Sequence, residues 1–348
     1  MGAPPAPGAG MSRRLWPIAA LLLAVAAFAL PPRRVEAQSP GQTYLLIVSG
    51  VSGEKRFADS FHAWSTALLS TGGTRFGIPA AQMIYLAEDS TRDAQRIRGR
   101  STKANIESTL ADLVTKAREG DRLVVVLFGH GSAQGAAPRF NLPGPDMTAE
   151  DFARVLSPAR ATVVFVNTTS ASGDFVKALT GKNRIVITAT KSAREQNETY
   201  FPEHFVAALT GTAGDADKDG RVSMLEAFTY ARKEVERLFT TENRIASEHP
   251  QLDDDGDGVA HGEASEKGPD GARARSLYLE PLGGVQVSND PKAAALLAER
   301  RVLEARIDSL RGRRATMTED AYQRALEPLM VQLAEKTRAL RALEVRKP

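Results

Sequence analysis

The chain contains no cysteine in its 348 residues. That absence excludes disulfides, thiolate metal sites and any cysteine nucleophile. It also suits an oxidising compartment, where a free thiol is a liability. A charge excess of one sign is missing as well. The formal net charge of +3 comes from Arg13, Arg14, Arg33 and Arg34, which outnumber Glu36 near the N-terminus. Beyond residue 37 acids and bases balance, so no nucleic-acid surface is expected. Long apolar runs are scarce. Leu15 to Leu30 is too short and too near the start for a comfortable spanning helix. With Ser12-Arg13-Arg14 before it and Val35-Glu36-Ala37 after it, it has the layout of a secretory signal peptide over residues 1–37. The expectation is an exported protein, periplasmic or secreted. An uncleaved membrane anchor is the alternative, and Met11 is an alternative start.

The rest has an ordinary globular balance, 42% apolar and 25% charged. Its length allows an α/β domain and a smaller appendage. The stretch that organises it is Leu123 to Phe128, six apolar residues in a row, ending in Gly129-His130-Gly131-Ser132. Such a run reads as a strand buried on both faces of a parallel sheet. It leaves an imidazole at the carboxyl end of a central strand, where ligands bind in open α/β sheets. A histidine that merely caps the strand is the alternative; the flanking glycines, which let backbone approach a ligand closely, favour a site.

Other strands are predicted at Tyr44–Val48, Gln82–Leu86, Thr162–Asn167 and Arg184–Thr190, with Ser276–Leu279 as a candidate last one. Helices are predicted from Phe57 to Leu69, from Thr102 to about Arg118 and from Thr148 through Val155. Glu88 to Arg100 reads as loop, and Ala133 to Asp146 as a mobile flap. The alternation predicts βαβ units and a mostly parallel sheet. After Asp290-Pro291, stripes of Leu296, Leu303, Ile307 and Leu310, then Leu326, Met330, Leu333 and Leu340, predict an antiparallel helical hairpin, 291–312 and 319–345. Pro328 is expected to kink its second helix. The hairpin either docks on the main domain or serves a partner or self-association.

Two acidic loops stand out. Asp215, Asp217, Asp219, Gly220, Arg221, Ser223 and Glu226 fill the key positions of an EF-hand loop. Three short acids would wrap a Ca2+ ion, Arg221 would give its carbonyl, and Glu226 would give two oxygens. Helix-like segments flank it, Tyr200 to Leu209 and Met224 to Leu238. Asp253, Asp255, Asp257 and Gly258 repeat the start of that spacing, but position 12 is Ala264, with Glu263 one residue early. In the loop 253–264 this reads as a partial or degenerate calcium site; for the first loop the alternative is a solvated acidic loop. Bracing the domain and gating a cleft are both open roles for the ions.

Leu127-Phe-Gly-His130-Gly-Ser132 at one strand end and Phe165-Val-Asn-Thr-Thr-Ser170-Ala-Ser-Gly173 at the next resemble the paired motifs of the caspase and legumain superfamily of cysteine peptidases. The resemblance spans roughly residues 42–285. It implies a three-layer α/β fold over 38–290, His130 as base, and oxyanion donors on Gly131 and Ser170. It also implies a cleft lined by the strand carrying Thr188 and Thr190, and a specificity arginine for which Arg56 is the nearest candidate. At the cysteine position, however, stands Ser170. A thiol becomes a thiolate readily beside histidine; a hydroxyl must lose its proton during attack, usually to a base held by a carboxylate. The expectation is a homologue that binds peptide or protein with weak or absent proteolysis. A serine endopeptidase using Ser170 and His130, and a calcium-stabilised scaffold acting through the hairpin, are the alternatives.

Overall fold

The structure is a computed structural model. It describes Gly2, residues 41–134 and 137–280, helical positions scattered between 292 and 310, and residues 317–344. The predicted export segment, 1–37, lies outside the described residues except for Gly2. Among the described residues no helix is long and apolar enough to cross a membrane.

Seven strands form the central sheet. They are β1 (Thr43–Ser49), β2 (Met83–Ala87), β3 (Gly99–Arg100), β4 (Arg122–Phe128), β8 (Thr162–Asn167), β9 (Arg184–Thr188) and β10 (Gln251–Asp253). Their order is β10-β9-β8-β4-β1-β2-β3. All neighbours are parallel except β10, which runs antiparallel to β9. Pleating sends alternate side chains to opposite faces. Leu45, Ile47, Val124, Val126, Val164 and Val166 pack into one core with Phe61 and Leu68 of α1 (Lys55–Thr74), Phe201 and Phe205 of α5 (Phe201–Thr210), and Phe228 of α6 (Met224–Thr241). Leu46, Val48, Val125, Leu127, Val163 and Phe165 pack into a second core. Its helices are α2 (Lys103–Lys116), α3 (Ala149–Leu156) and α4 (Phe175–Leu179). The molecule is therefore a three-layer α/β structure, as the alternating pattern predicts.

Local signals set the helix starts. Thr102 accepts from the Asn105 amide, and Thr148 with Asp151 makes a reciprocal capping box. Three expectations need correction. The region predicted as a mobile flap instead carries a three-stranded antiparallel sheet, β5 (Gly131–Gln134), β6 (Ala137–Phe140) and β7 (Met147–Thr148). Phe140 and Met147 anchor it by complete burial in the second core. Gly99–Arg100, placed in a loop, pairs with β2. Ser276–Leu279 is no strand: Ser276 ends α7 (Ala272–Ser276), and Tyr278 makes a single antiparallel bridge to Ser223.

At the C-terminus α8 runs from Glu319 to Glu344 and continues through Pro328. The described positions between 292 and 310 are helical, with Leu303, Ile307 and Leu310 buried. Lys336 of α8 pairs with Glu299 at 2.5 Å, which brings the two helical segments together. Met330, expected in the buried stripe, is exposed.

Candidate functional site

β4 and β8 are adjacent and parallel, and their register sets Leu127 opposite Asn167. Both chains leave the sheet on the same edge, so the two motifs meet there. The Gly131 amide donates to Ser170 Oγ at 3.2 Å, and Ser170 Oγ donates to the Gly131 carbonyl at 2.9 Å. Glycine is required at this contact. A Cβ on Gly131 would lie 2.0 Å from the Ser170 carbonyl oxygen. At Gly129, with φ of +155°, a Cβ would meet the Phe140 ring at 2.9 Å.

The imidazole of His130 is held on three sides. Its ring stands edge-on to Phe57 at 4.4 Å and to Phe61 at 5.5 Å between centroids. Nε2 lies 3.1 Å from the Ser52 carbonyl. A carbonyl only accepts, so Nε2 carries the hydrogen and the neutral ring keeps its lone pair on Nδ1. Ser52 is itself fixed, with its amide and hydroxyl donating to Glu88 Oε2 at 2.9 and 2.7 Å. A carboxylate thus supports the imidazole through a backbone carbonyl. The His130 loop itself contains none, and a route through a backbone carbonyl leaves no residue pattern to read.

The turn that carries Ser170 is braced from below. Ala171 adopts φ of +53°, an uncommon conformation for a residue with a Cβ. Its amide donates to the Glu195 carbonyl at 2.7 Å. The Glu195 carboxylate accepts from the Lys191 amide and meets His249 Nδ1 at 2.5 Å. Thr190 Oγ1 accepts from the amides of Ser172 and Gly173. Thr188 Oγ1 donates to the Thr190 carbonyl. This corrects the expectation that Thr188 and Thr190 line a substrate cleft. Both are buried, and their hydroxyls stabilise the turns behind Ser170.

His130 and Ser170 face a cleft of about 150 Å³ walled by Phe57, Phe61, Trp64 and Tyr200, with Arg56 and Glu198 on its rim. Arg56 lies over the Phe57 ring at 3.9 Å. Its Nη1 donates to both Glu198 oxygens at 3.0 Å, and its Nε to Glu54. Arg56 therefore does border the cleft, but its charge is already met by two carboxylates. An acidic ligand would have to displace Glu198. Beyond the rim Glu248 is buried at the start of α5 and accepts from the amides of Tyr200 and Phe201. Burial pushes its carboxyl up to about 8.

Both acidic loops gather carboxylates. Oxygens of Asp215, Asp217 and Asp219 lie within 4.8 Å of one another. Gly220 takes φ of +87°, as the sharp turn requires. Glu226 turns back into the loop, where Oε1 accepts from the amides of Ala216 and Asp217. Its Oε2 accepts from Ser223, and Ser223 caps α6. The Arg221 guanidinium packs over Tyr278 at 3.9 Å, and its Nη2 lies 3.5 Å from Asp219 Oδ2. These oxygen donors could hold a metal ion. In the second loop Asp253 and Asp255 cluster with Asp270, not with Asp257. Asp257 instead accepts from the Val259 amide within its own turn, and Glu263 pairs with Arg232 at 2.7 Å.

No family model and no curated protein matches this chain. Among solved structures it is similar to protein GSU0716 from Geobacter sulfurreducens, at 11% identity and a TM-score of 0.38, over 61% of this chain and 92% of that one. It is also similar to Raptor from Chaetomium thermophilum, at 11% identity and a TM-score of 0.32, over 87% of this chain and 26% of that one. Likeness at this level does not indicate a caspase or legumain family, or a function.

Proposed function

We propose that this chain is an exported, calcium-binding homologue of the caspase and legumain-like peptidases, which holds a peptide or protein segment in the cleft and cuts it weakly or not at all. The observation that carries this reading is the pair of hydrogen bonds between Ser170 Oγ and Gly131. The hydroxyl proton goes to a backbone carbonyl, while the imidazole beside it is turned to Ser52. A serine nucleophile needs its proton directed to the base. Here the hydroxyl is tied down by the same glycine whose amide the resemblance assigns to the oxyanion. The aromatic wall of the cleft suits binding of a peptide segment. Calcium in the first acidic loop braces the α5–α6 pair. Export rests on the layout of residues 1–37.

A serine endopeptidase remains the second reading. It is favoured by the shared cleft and by Ala171, whose left-handed backbone presents the preceding hydroxyl on a tight turn. Peptide-library cleavage by the wild type and by Ser170→Cys, with a hydroxyl-directed covalent probe, decides between the two. Cleavage gained only by the cysteine variant is the expected result. Probe labelling of wild-type Ser170 with peptide turnover would overturn the non-cleaving reading. A wild type that neither cuts nor binds peptide would move the function to the hairpin, where deletion of 291–348 tests it.

A further inference from the structure

We propose that Asp253, Asp255 and Asp270 form a second divalent-cation site, which fastens the edge strand β10 to the segment leading into α7. Its ligand set is not that of a helix–loop–helix calcium motif, and it does not depend on how the cleft is read.

The three side chains place carboxylate oxygens within 4.8 Å of one another. Asp253 is 1% exposed and Asp270 is 0% exposed. Asp253 Oδ1 accepts from the Gly256 amide at 3.1 Å, but its Oδ2 is buried with no hydrogen-bond partner. A buried carboxylate oxygen left this way is costly unless a cation meets it. Among the described residues no side chain does so. The nearby guanidinium of Arg273 goes to the carbonyls of Asp254 and Arg184. Asp270 Oδ1 accepts from the amides of Asp254 and Asp255, and its Oδ2 meets His261 Nδ1 at 2.6 Å. Each carboxylate oxygen can take two partners, so Asp270 keeps a lone pair on Oδ2 after these contacts, and Asp253 keeps Oδ2 entire.

Carboxylates alone, with backbone around them, describe a hard oxygen site. Three acids in one nest suit Ca2+; Mg2+ keeps more of its water and takes one or two carboxylates. The position also gives the ion a task. Asp253 ends β10, which pairs with β9 through Leu252 and Ile187. Before the other end of β10, His249 holds Glu195, whose carbonyl receives the Ala171 amide beside Ser170. A cation at Asp253 therefore pins the strand that steadies the Ser170 turn.

Calorimetric titration of the metal-stripped full chain with calcium chloride tests this. Two binding events are expected in the wild type. Asp255→Asn should weaken one of them by about tenfold or more and leave the other unchanged. Asp255 is exposed, and asparagine can still accept the Asp257 amide, so an unaltered circular dichroism spectrum shows that the variant folds. Asp270→Asn should strike the same event, and Asp217→Asn the other one. The proposal is overturned if Asp255→Asn and Asp270→Asn bind as the wild type does. It is equally overturned if the wild type takes up one ion that Asp217→Asn abolishes, or none. Peptide binding measured alongside reports separately on the cleft.

Discussion

Gly131 both donates to and accepts from the hydroxyl of Ser170, through an amide contact of 3.2 Å and a carbonyl contact of 2.9 Å. One residue thus fixes the orientation of the side chain that stands where the motifs it resembles carry a thiol. A sulfur atom is larger and a weaker hydrogen-bond donor, so it would not be held in the same way. Replacement of Ser170 by cysteine should therefore release the group toward His130 and yield peptide cleavage measurable on a fluorogenic library. Ser170→Ala should leave cleavage absent and lower stability by about 1 kcal/mol.

Gly131→Ala should be more damaging than its size suggests. The new methyl group would start 2.0 Å from the Ser170 carbonyl oxygen, so two strand tips must part. Overpacking of this kind costs ~1–3 kcal/mol. Urea unfolding should show that loss, and peptide binding should fall with it.

Glu248 should make stability fall as pH rises. Its folded carboxyl is raised to about 8 by burial, with Glu195 adding to the rise and the amides of Tyr200 and Phe201 opposing it. An unfolded glutamate titrates near ~4.3. The native state therefore holds the proton more tightly. Its contribution is full below the unfolded value and is lost as pH climbs through about 8, at no more than ~1.4 kcal/mol per pH unit. Melting temperatures from pH 6 to pH 9 should decline in the wild type and flatten in Glu248→Gln, which mimics the protonated acid.

Calcium should raise the melting temperature, and a chelator should lower it. An ion at about 100 times its dissociation constant adds ~2.7 kcal/mol per site. Asp217→Asn should remove the part of that gain contributed by the first loop. A melting temperature unmoved by calcium or chelator in the wild type would exclude both sites.

Phe165→Ala tests the second core. Phe165 is 1% exposed and meets Phe152 at 5.2 Å between ring centroids. Removal of such a ring costs about 3–5 kcal/mol. Calorimetric melting should show that loss with the pleated α/β arrangement otherwise kept.

β1, β4, β8 and β9 were legible because each is an apolar run that ends in glycine or small polar residues; the two-residue β3 carries no such run. Helix starts at Thr102 and Thr148 were legible because capping is a local signal. β10 was not: three residues between Pro250 and a row of acids carry no periodicity, and its pairing with β9 is a tertiary choice. The small sheet 131–148 was hidden by its glycines and prolines, which suggested freedom where Phe140 and Met147 impose order. At the site, His130, Ser170 and Gly131 were found from the strand tips. The Ser52 carbonyl and Glu88 were not, because backbone acceptors have no residue signature. Asp270 lies too far along the chain for any fixed spacing to join it to Asp253.

The outer borders of the main sheet are both very short. β3 has two residues and β10 three, and the latter leads straight into acidic chain. Such rims offer a passing polypeptide almost no ladder to extend. Copies of this molecule should not polymerise by adding strand to strand, and an elongated guest is left the cleft beyond the carboxyl ends of β4 and β8, where side chains rather than sheet borders select it.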